Sequence, residues 1–434
     1  MHRLNEWLKT IGWGAIWTNR VQPALRIPAI TLVLFGTLFL SVPAGAEPVV
    51  FHLDGANLVR AKEALEQEHP AILAALDHLV ERADAALEKG PFSVTHKTIT
   101  PPSGDKQDYM SFGPYWWPNP DTEDGLPYVR RDGEVNPDAR TEGSDSPRLG
   151  VMARSVLTLA LAHFYTSEDA YAAHAAHLIR TWFLDPDLRM NPHLQYGQAI
   201  PGRVEGRGIG IIDTTRLIQV IDAAGLLHKT DFWSDEDHTA LQAWFSEYLD
   251  WLQTSDHGRN ERRTSNNHGT FYDAQVASFA LFVGDTDNAK DVLQTAKERR
   301  VTSHIKPDGR QPHELERAIS FHYSRFNLDA MFMLARFGEH VDLDLWNYSS
   351  DETGGIRAAF DYIIPYLDPD EEWPHGRAVT DTERRRVLPQ LRQAYRAYGD
   401  DLYLEKIQMF PEEELNKDIF RLRFPASLLA ERDE

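Results

Sequence analysis

Apolar residues recur at three- and four-residue spacing from residue 56 onward. Between 56 and 89 they are Leu58, Ala61 and Leu65, then Ile72, Leu76, Leu79, Ala83, Ala86 and Leu87. The same period governs 148–165, 170–183, 214–227, 235–252, 272–283, 289–300, 319–337, 356–367 and 382–398. Such spacing puts one apolar stripe on each helix. Ser234 with Asp237 predicts a capping box at one helix start, and Gly225 and Gly284 are placed near helix ends. No run alternates as a strand would. Ten or so helices with short links predict antiparallel helical hairpins. Packed in series, these give an all-α fold, either an (α/α) toroid (an incomplete α/α barrel) or a solenoid. No exact repeat is visible, which favours the toroid.

Two stretches break the helical rhythm. Residues 90–147 are rich in Pro, Gly, Asp and aromatics, and 188–212 in Gly, Asn and Arg. Loops this long are uncommon unless they carry function, so a binding cleft is expected there. In the first, Tyr115, Trp116 and Trp117 belong to five aromatics within nine residues; such rings either stack on sugar faces or pin the loop to the core. The second carries Asn191, Tyr196, Gln198 and Arg203, side chains suited to carboxylates and hydroxyls. Its glycines, around Gly202, Gly206 and Gly208, permit close backbone approach to a ligand. No phosphate-binding fingerprint is present, because no strand precedes it and the spacing is wrong.

Asn266-Asn267-His268-Gly269 precedes an apolar helix. An Asn there can be a simple N-cap, or the group can bind and neutralise an anion. His313-Glu314 invites a zinc-protease reading, but the fifth position is Arg317 and the motif fails. Ser320, Tyr323 and Asn327 share one helix face. That polar stripe suits a cleft or, more blandly, a solvated surface.

The chain has 434 residues, none of them cysteine, and a net charge of −21. The length suits two or three domains at ~150 residues each, or one large helical domain. The missing cysteines exclude a disulfide scaffold, thiolate metal sites and a cysteine nucleophile. The charge argues against nucleic acid as a partner. Arg20 and Arg26 precede an apolar run over 29–40, and Ala44-Gly45-Ala46 follows. This order predicts a signal peptide over 1–46 and a periplasmic or secreted protein, with no membrane attachment after cleavage. An uncleaved anchor is the alternative. The mature chain, 47–434, would then be a single domain with 41 basic against 65 acidic residues, a net −24.

Taken in order, Tyr115-Trp116-Trp117-Pro118-Asn119-Pro120, the Asn-Pro-x-Leu-x-Tyr-x-Gln segment at 191–198, Asn266-Asn267-His268-Gly269 and Glu314-Leu315-x-Arg317 followed by Tyr323 resemble the alginate lyase superfamily of polysaccharide lyases. The order is closest to family 38 and more distant from family 5, over roughly residues 97–373. The resemblance implies an (α/α) toroid and cleavage of uronic-acid polysaccharides by β-elimination. It implies catalytic roles for His268, Arg317, Tyr323 and Asn267, with Arg317 departing slightly from the family 5 pattern. Tyr115, Trp116, Trp117, Asn191, Tyr196, Gln198, Arg203, Asn266 and His322 are the expected substrate contacts.

The chemistry agrees with those residue types. Elimination removes the weakly acidic C5 proton of a uronate and expels the C4 glycosidic oxygen. The C6 carboxylate must first be neutralised, for which Asn267, Arg317 and Gln198 are suited. A base then takes the proton and an acid protonates O4. In mannuronate or glucuronate both lie on one side, and Tyr323 can serve both steps; in guluronate, His268 would be base and Tyr323 acid. No metal or cofactor is required. The expected partner is an anionic polysaccharide, polymannuronate-containing alginate first and glucuronan second. Arg203, Arg207, Arg259, Arg262, Arg263, Arg310 and Arg317 are the expected cationic track. A glycoside hydrolase would instead need carboxylates across the cleft, from Glu314, Glu316 or Asp213. A non-catalytic sugar-binding protein would release no product.

Overall fold

The computed structural model describes residues 47–425; the expected signal segment, 1–46, lies outside the described residues. Helices dominate: α1 Gly55–Glu66, α2 Pro70–Leu87, α3 Asp145–Thr166, α4 Asp169–Ile179, α5 Leu217–Leu227, α6 Asp235–Thr254, α7 Asp256–Arg262, α8 Asn267–Val283, α9 Thr286–Ala296, α10 Pro312–Leu315, α11 Ser320–Glu339, α12 Gly355–Ile363, α13 Asp381–Arg385, α14 Leu388–Tyr398, α15 Asp401–Gln408 and α16 Glu412–Asn416. α3, α5, α8 and α11 pack side by side as an inner ring, with α2, α4, α6, α9 and α12 against their outer faces. This is the all-α toroid that the hydrophobic period predicts. The inner helices are buried nearly all round; ten of the eleven residues of α5 are buried. Inner helices therefore lose the clean amphipathic stripe that outer ones keep.

The predicted elements land close to the observed ones, with instructive differences. The stretch 56–89 is two helices, broken before Pro70, which takes the first helical turn where its missing N–H is harmless. The Ser234–Asp237 capping box forms as predicted. Gly225 lies near the end of α5, as expected, but does not cap it: a Cβ there would come within 2.0 Å of the Val49 carbonyl oxygen. The glycine admits the N-terminal segment, whose Phe51, His52 and Leu53 N–H groups all donate to the buried Asp222 carboxylate of α5.

Four short strands, unforeseen in the sequence, organise the two long loops. β1 Met110–Phe112 pairs in parallel with β4 Tyr196–Ala199, and β2 Trp116–Trp117 pairs antiparallel with β3 Val129–Arg130. Two- to four-residue strands are too short to show alternation. The β1–β4 pairing joins residues 90–147 to 188–212. A buried Lys97–Asp145 pair at 3.1 Å, with the Met110 N–H donating to Asp145, ties this assembly to the start of α3. Burial pushes the Asp145 carboxyl up to about 6, against the pull of Lys97.

Candidate active site

A cavity of about 770 Å3 opens among the joined loops and the ends of α8 and α11. Tyr115, Trp116, Gln198, Asn266, Asn267, His268, Arg317, His322 and Tyr323 all line it. These come from four separate segments, so the fold gathers most of the residues expected to act together.

Tyr323 sits in the first turn of α11. Its hydroxyl lies 2.7 Å from that of Tyr115, carried across by the aromatic loop. Arg317 stands in the turn before α11, its guanidinium 3.7 Å from the Tyr323 ring centre. Two hydrogen bonds to Asp132, at 2.7 and 3.2 Å, fix that guanidinium. Burial alone would raise the Asp132 carboxyl, but Arg317 and Arg130 hold it below its ordinary range. Burial, reinforced by Tyr115, pushes the Tyr323 phenol well above the usual tyrosine value, while Arg317 opposes the shift. The resting phenol is therefore protonated and ready to donate.

Asn266 is the N-cap of α8, its side chain accepting from the His268 N–H. The anion at this helix start comes from the protein itself. Glu314, from α10, accepts from the Asn267 N–H at 2.6 Å and from its side-chain amide at 2.8 Å. Burial raises the Glu314 carboxyl, with the two Asn267 bonds pulling the other way. This grip orients Asn267 and leaves its second amide N–H unused. His268 is held by Glu261, whose carboxylate is 1% exposed and lies 2.8 Å from Nδ1. A carboxylate only accepts, so Nδ1 donates to it and Nε2 is the ring nitrogen without a protein partner. Glu261 was not foreseen; its one sequence signal is a seven-residue spacing from His268 across a helix break.

Gln198 holds a left-handed backbone, with φ +47°. Its amide donates to Asp213 and accepts from Arg207. Asp213 also accepts from the Tyr109 and Ser111 hydroxyls. Thus neither Asp213 nor Glu314 is a free carboxylate, and Glu316 is exposed outside the cavity. Of the three acids expected for a hydrolase, only Asp213 lines the cavity.

Other expected contacts lie elsewhere. Asn191 bonds Asp105 and Asp108, stitching the two loops together. Tyr196 sits in β4, and neither residue lines the cavity. Trp117 donates to the Glu134 carbonyl and stacks under Arg131, so it pins its loop. Arg203 does not line the cavity but covers the Trp116 ring from 5.2 Å. The cationic lining is Arg130, Arg140, Arg207, Arg216 and Arg317; Arg259, Arg262, Arg263 and Arg310 are not part of it. Of the polar stripe on α11 only Tyr323 faces the cavity. Ser320 accepts from Trp373 and Asn327 donates to Gln311, both fully buried. Gly206 and Gly208 approach backbone, not a ligand: a Cβ would come 2.0 Å from the Gln195 oxygen and 2.7 Å from that of His257.

The alginate lyase family model matches residues 93–373. An alginate lyase from Bacteroides ovatus is 36% identical, covering 87% of this chain and 99% of its own, with a TM-score of 0.82. A histidine-to-alanine variant of alginate lyase A1-III complexed with a tetrasaccharide is 16% identical over 83% of this chain and 92% of its own, with a TM-score of 0.50; it shares the fold. No curated protein matches. The matched span contains the four segments that line the cavity, and the chain belongs to the alginate lyase family and is a polysaccharide lyase.

Proposed function

We propose that this lyase is exported and cuts alginate by β-elimination, with polymannuronate blocks preferred. The observation carrying this reading is the convergence of Tyr323, Arg317, His268 and Asn267 on one cavity. A uronate bound there meets the free amide N–H of Asn267 and the remaining guanidinium N–H groups of Arg317 at its C6 carboxylate. Hydrogen bonds to that carboxylate strengthen as charge moves onto it from C5, so they favour the transition state over the bound substrate.

For a mannuronate unit, the C5 hydrogen and O4 lie on the same face. Tyr323 takes the proton as phenolate and returns it to O4, and Arg317 stabilises the phenolate during the step. His268, its Nε2 without a protein partner, accepts the phenolic proton beforehand. For a guluronate unit the same residues divide the work: His268 takes the C5 proton and Tyr323, protonated at rest, supplies O4. A phenol protonated at rest can supply O4 in either division, so activity on polyguluronate is the competing outcome. The related B. ovatus structure is described as an alginate lyase, and an A1-III structure holds a tetrasaccharide, which supports an oligosaccharide in such a cavity.

The test is to incubate the purified protein with polymannuronate, polyguluronate, glucuronan and hyaluronan and follow ultraviolet absorbance of the unsaturated product end. Fastest growth on polymannuronate is expected. Growth only on glucuronan would move the substrate to glucuronate polymers. New reducing ends without absorbance would overturn elimination.

A further inference from the structure

The cavity has a second cationic end that the elimination step does not use. On the inner helix α3, Ser146, Gly150 and Arg154 follow at four-residue spacing and share one face. Ser146 lines the cavity together with Arg140, Arg216 and Gln219. A Cβ at Gly150 would lie 3.3 Å from the Arg216 guanidinium carbon and 3.4 Å from Arg154 Nη1. The two guanidinium groups therefore sit within about 7 Å of one another, a distance at which like charges repel measurably. Gly150, having no side chain, leaves the room for both.

Neither arginine has a hydrogen bond or ion pair among the described residues, and both are exposed. Arginines set deeper in the fold are matched: Arg300 with Asp273, Arg325 with Asp329, Arg392 with Asp418, and Arg396 with Asp54 and Glu339. Asp213, which lines the same cavity, accepts from Tyr109, Ser111 and Gln198 and feels the Arg216 charge without bonding it. Burial, then Arg216, then Arg82 of α2 lower the Arg154 pKa, so a third positive charge faces the same spot. Juxtaposed cations that no protein carboxylate bonds form a place where an anion from outside would be stabilised. Two planar forks side by side suit the two oxygens of a carboxylate.

We propose that Arg154 and Arg216, brought together over Gly150, form a second carboxylate subsite that grips a uronate unit away from the bond being cut. This deepens the polyuronate reading above and rests on it. The site recognises one carboxylate along a repeating acid chain, Gln219 being placed for a neighbouring hydroxyl. It thus sets preference for chain length and for unesterified, carboxylate-bearing units, without touching the reacting atoms.

The experiment compares wild type with Arg154→Gln, Arg216→Gln and Gly150→Ala. The last keeps both charges but places a methyl between them. Each is checked for a cooperative melt. Kinetics are measured on long polymannuronate and on the shortest oligomannuronate that is cut. Calorimetry measures binding of a long oligomannuronate and of its carboxyl-reduced counterpart. For long chains, KM and Kd should rise roughly ten- to a hundredfold, as for loss of charge-assisted hydrogen bonds, with kcat within twofold. The shortest substrate and the reduced oligosaccharide should not discriminate between variants and wild type, and added salt should shrink the gap on long chains. Folded variants that bind and cut long chains as wild type does would overturn the subsite. So would an equal loss of kcat on every length, which would place these arginines at the reacting unit. If wild type cut no polyuronate while calorimetry still separated the variants, the lyase substrate would be wrong and the carboxylate site right.

Discussion

The groups that would move protons here depend on neighbours that never meet substrate. Glu261 is the clearest case: it is buried, and its carboxylate bonds His268 Nδ1 at 2.8 Å. Glu261→Leu keeps most of the bulk but removes the acceptor, so the imidazole loses the partner that fixes its Nδ1–H and its orientation. Turnover should fall about ten- to a hundredfold with KM little changed, and the acid limb of the pH–rate profile should shift. A normal profile would make Glu261 a packing residue. The site's letters were readable in the sequence where they came as runs, as in Tyr115-Trp116-Trp117 or Asn266-Asn267-His268. Their supports were not. Asp132 is 185 residues from Arg317 and Glu314 is 47 from Asn267, and nothing local marks such pairs. Nor does anything local show that Asn191 and Trp117 each fasten one loop segment to another.

Among the elements, outer helices announced themselves through the 3.6-residue period, because one face is wet and the other dry. Inner helices were also found, but their faces were misread: Ser320 and Asn327 share a stripe with Tyr323 yet are buried against Trp373 and Gln311. Polar residues satisfied inside a core look in sequence like residues facing water. The strands were missed because only pairing across 80-odd residues defines them, β1 with β4. Gly225, expected near a helix end, lies two residues before the end of α5, but the reason a glycine stands there is the passing Val49 carbonyl. Gly225→Ala would improve helix propensity by about 1 kcal/mol in isolation. In this fold the methyl cannot fit at 2.0 Å from that oxygen, so the melting temperature should fall by several degrees. An unchanged or higher melting temperature would show that the N-terminal segment moves aside without cost.

At the scale of the whole molecule, a net charge of −21 sits oddly with an anionic polysaccharide as partner. The resolution is spatial: five arginines line the cavity while the acids are spread over the exterior or paired within. Stability should also depend on pH through buried histidines. Burial first, then nearby arginines, lowers His52 to about 3; burial, Arg300 and His313 lower His304 to about 3. Both are neutral in the fold, whereas the unfolded chain protonates them near 6.5. Their contribution is complete above pH 6.5 and is lost as pH falls from there toward 3. The melting temperature should therefore drop between pH 7 and 4, and His52→Phe should flatten the drop; identical slopes would remove His52 from the account. The central claim is that one phenol carries the proton at the cut bond, and Tyr323→Phe tests it by deleting a single oxygen while keeping the ring. Turnover of polymannuronate, followed by ultraviolet absorbance, should fall by at least ~10²–10⁴-fold, with oligosaccharide binding and the melting curve preserved. A folded Tyr323→Phe protein that still cuts within a few-fold of wild type would contradict it.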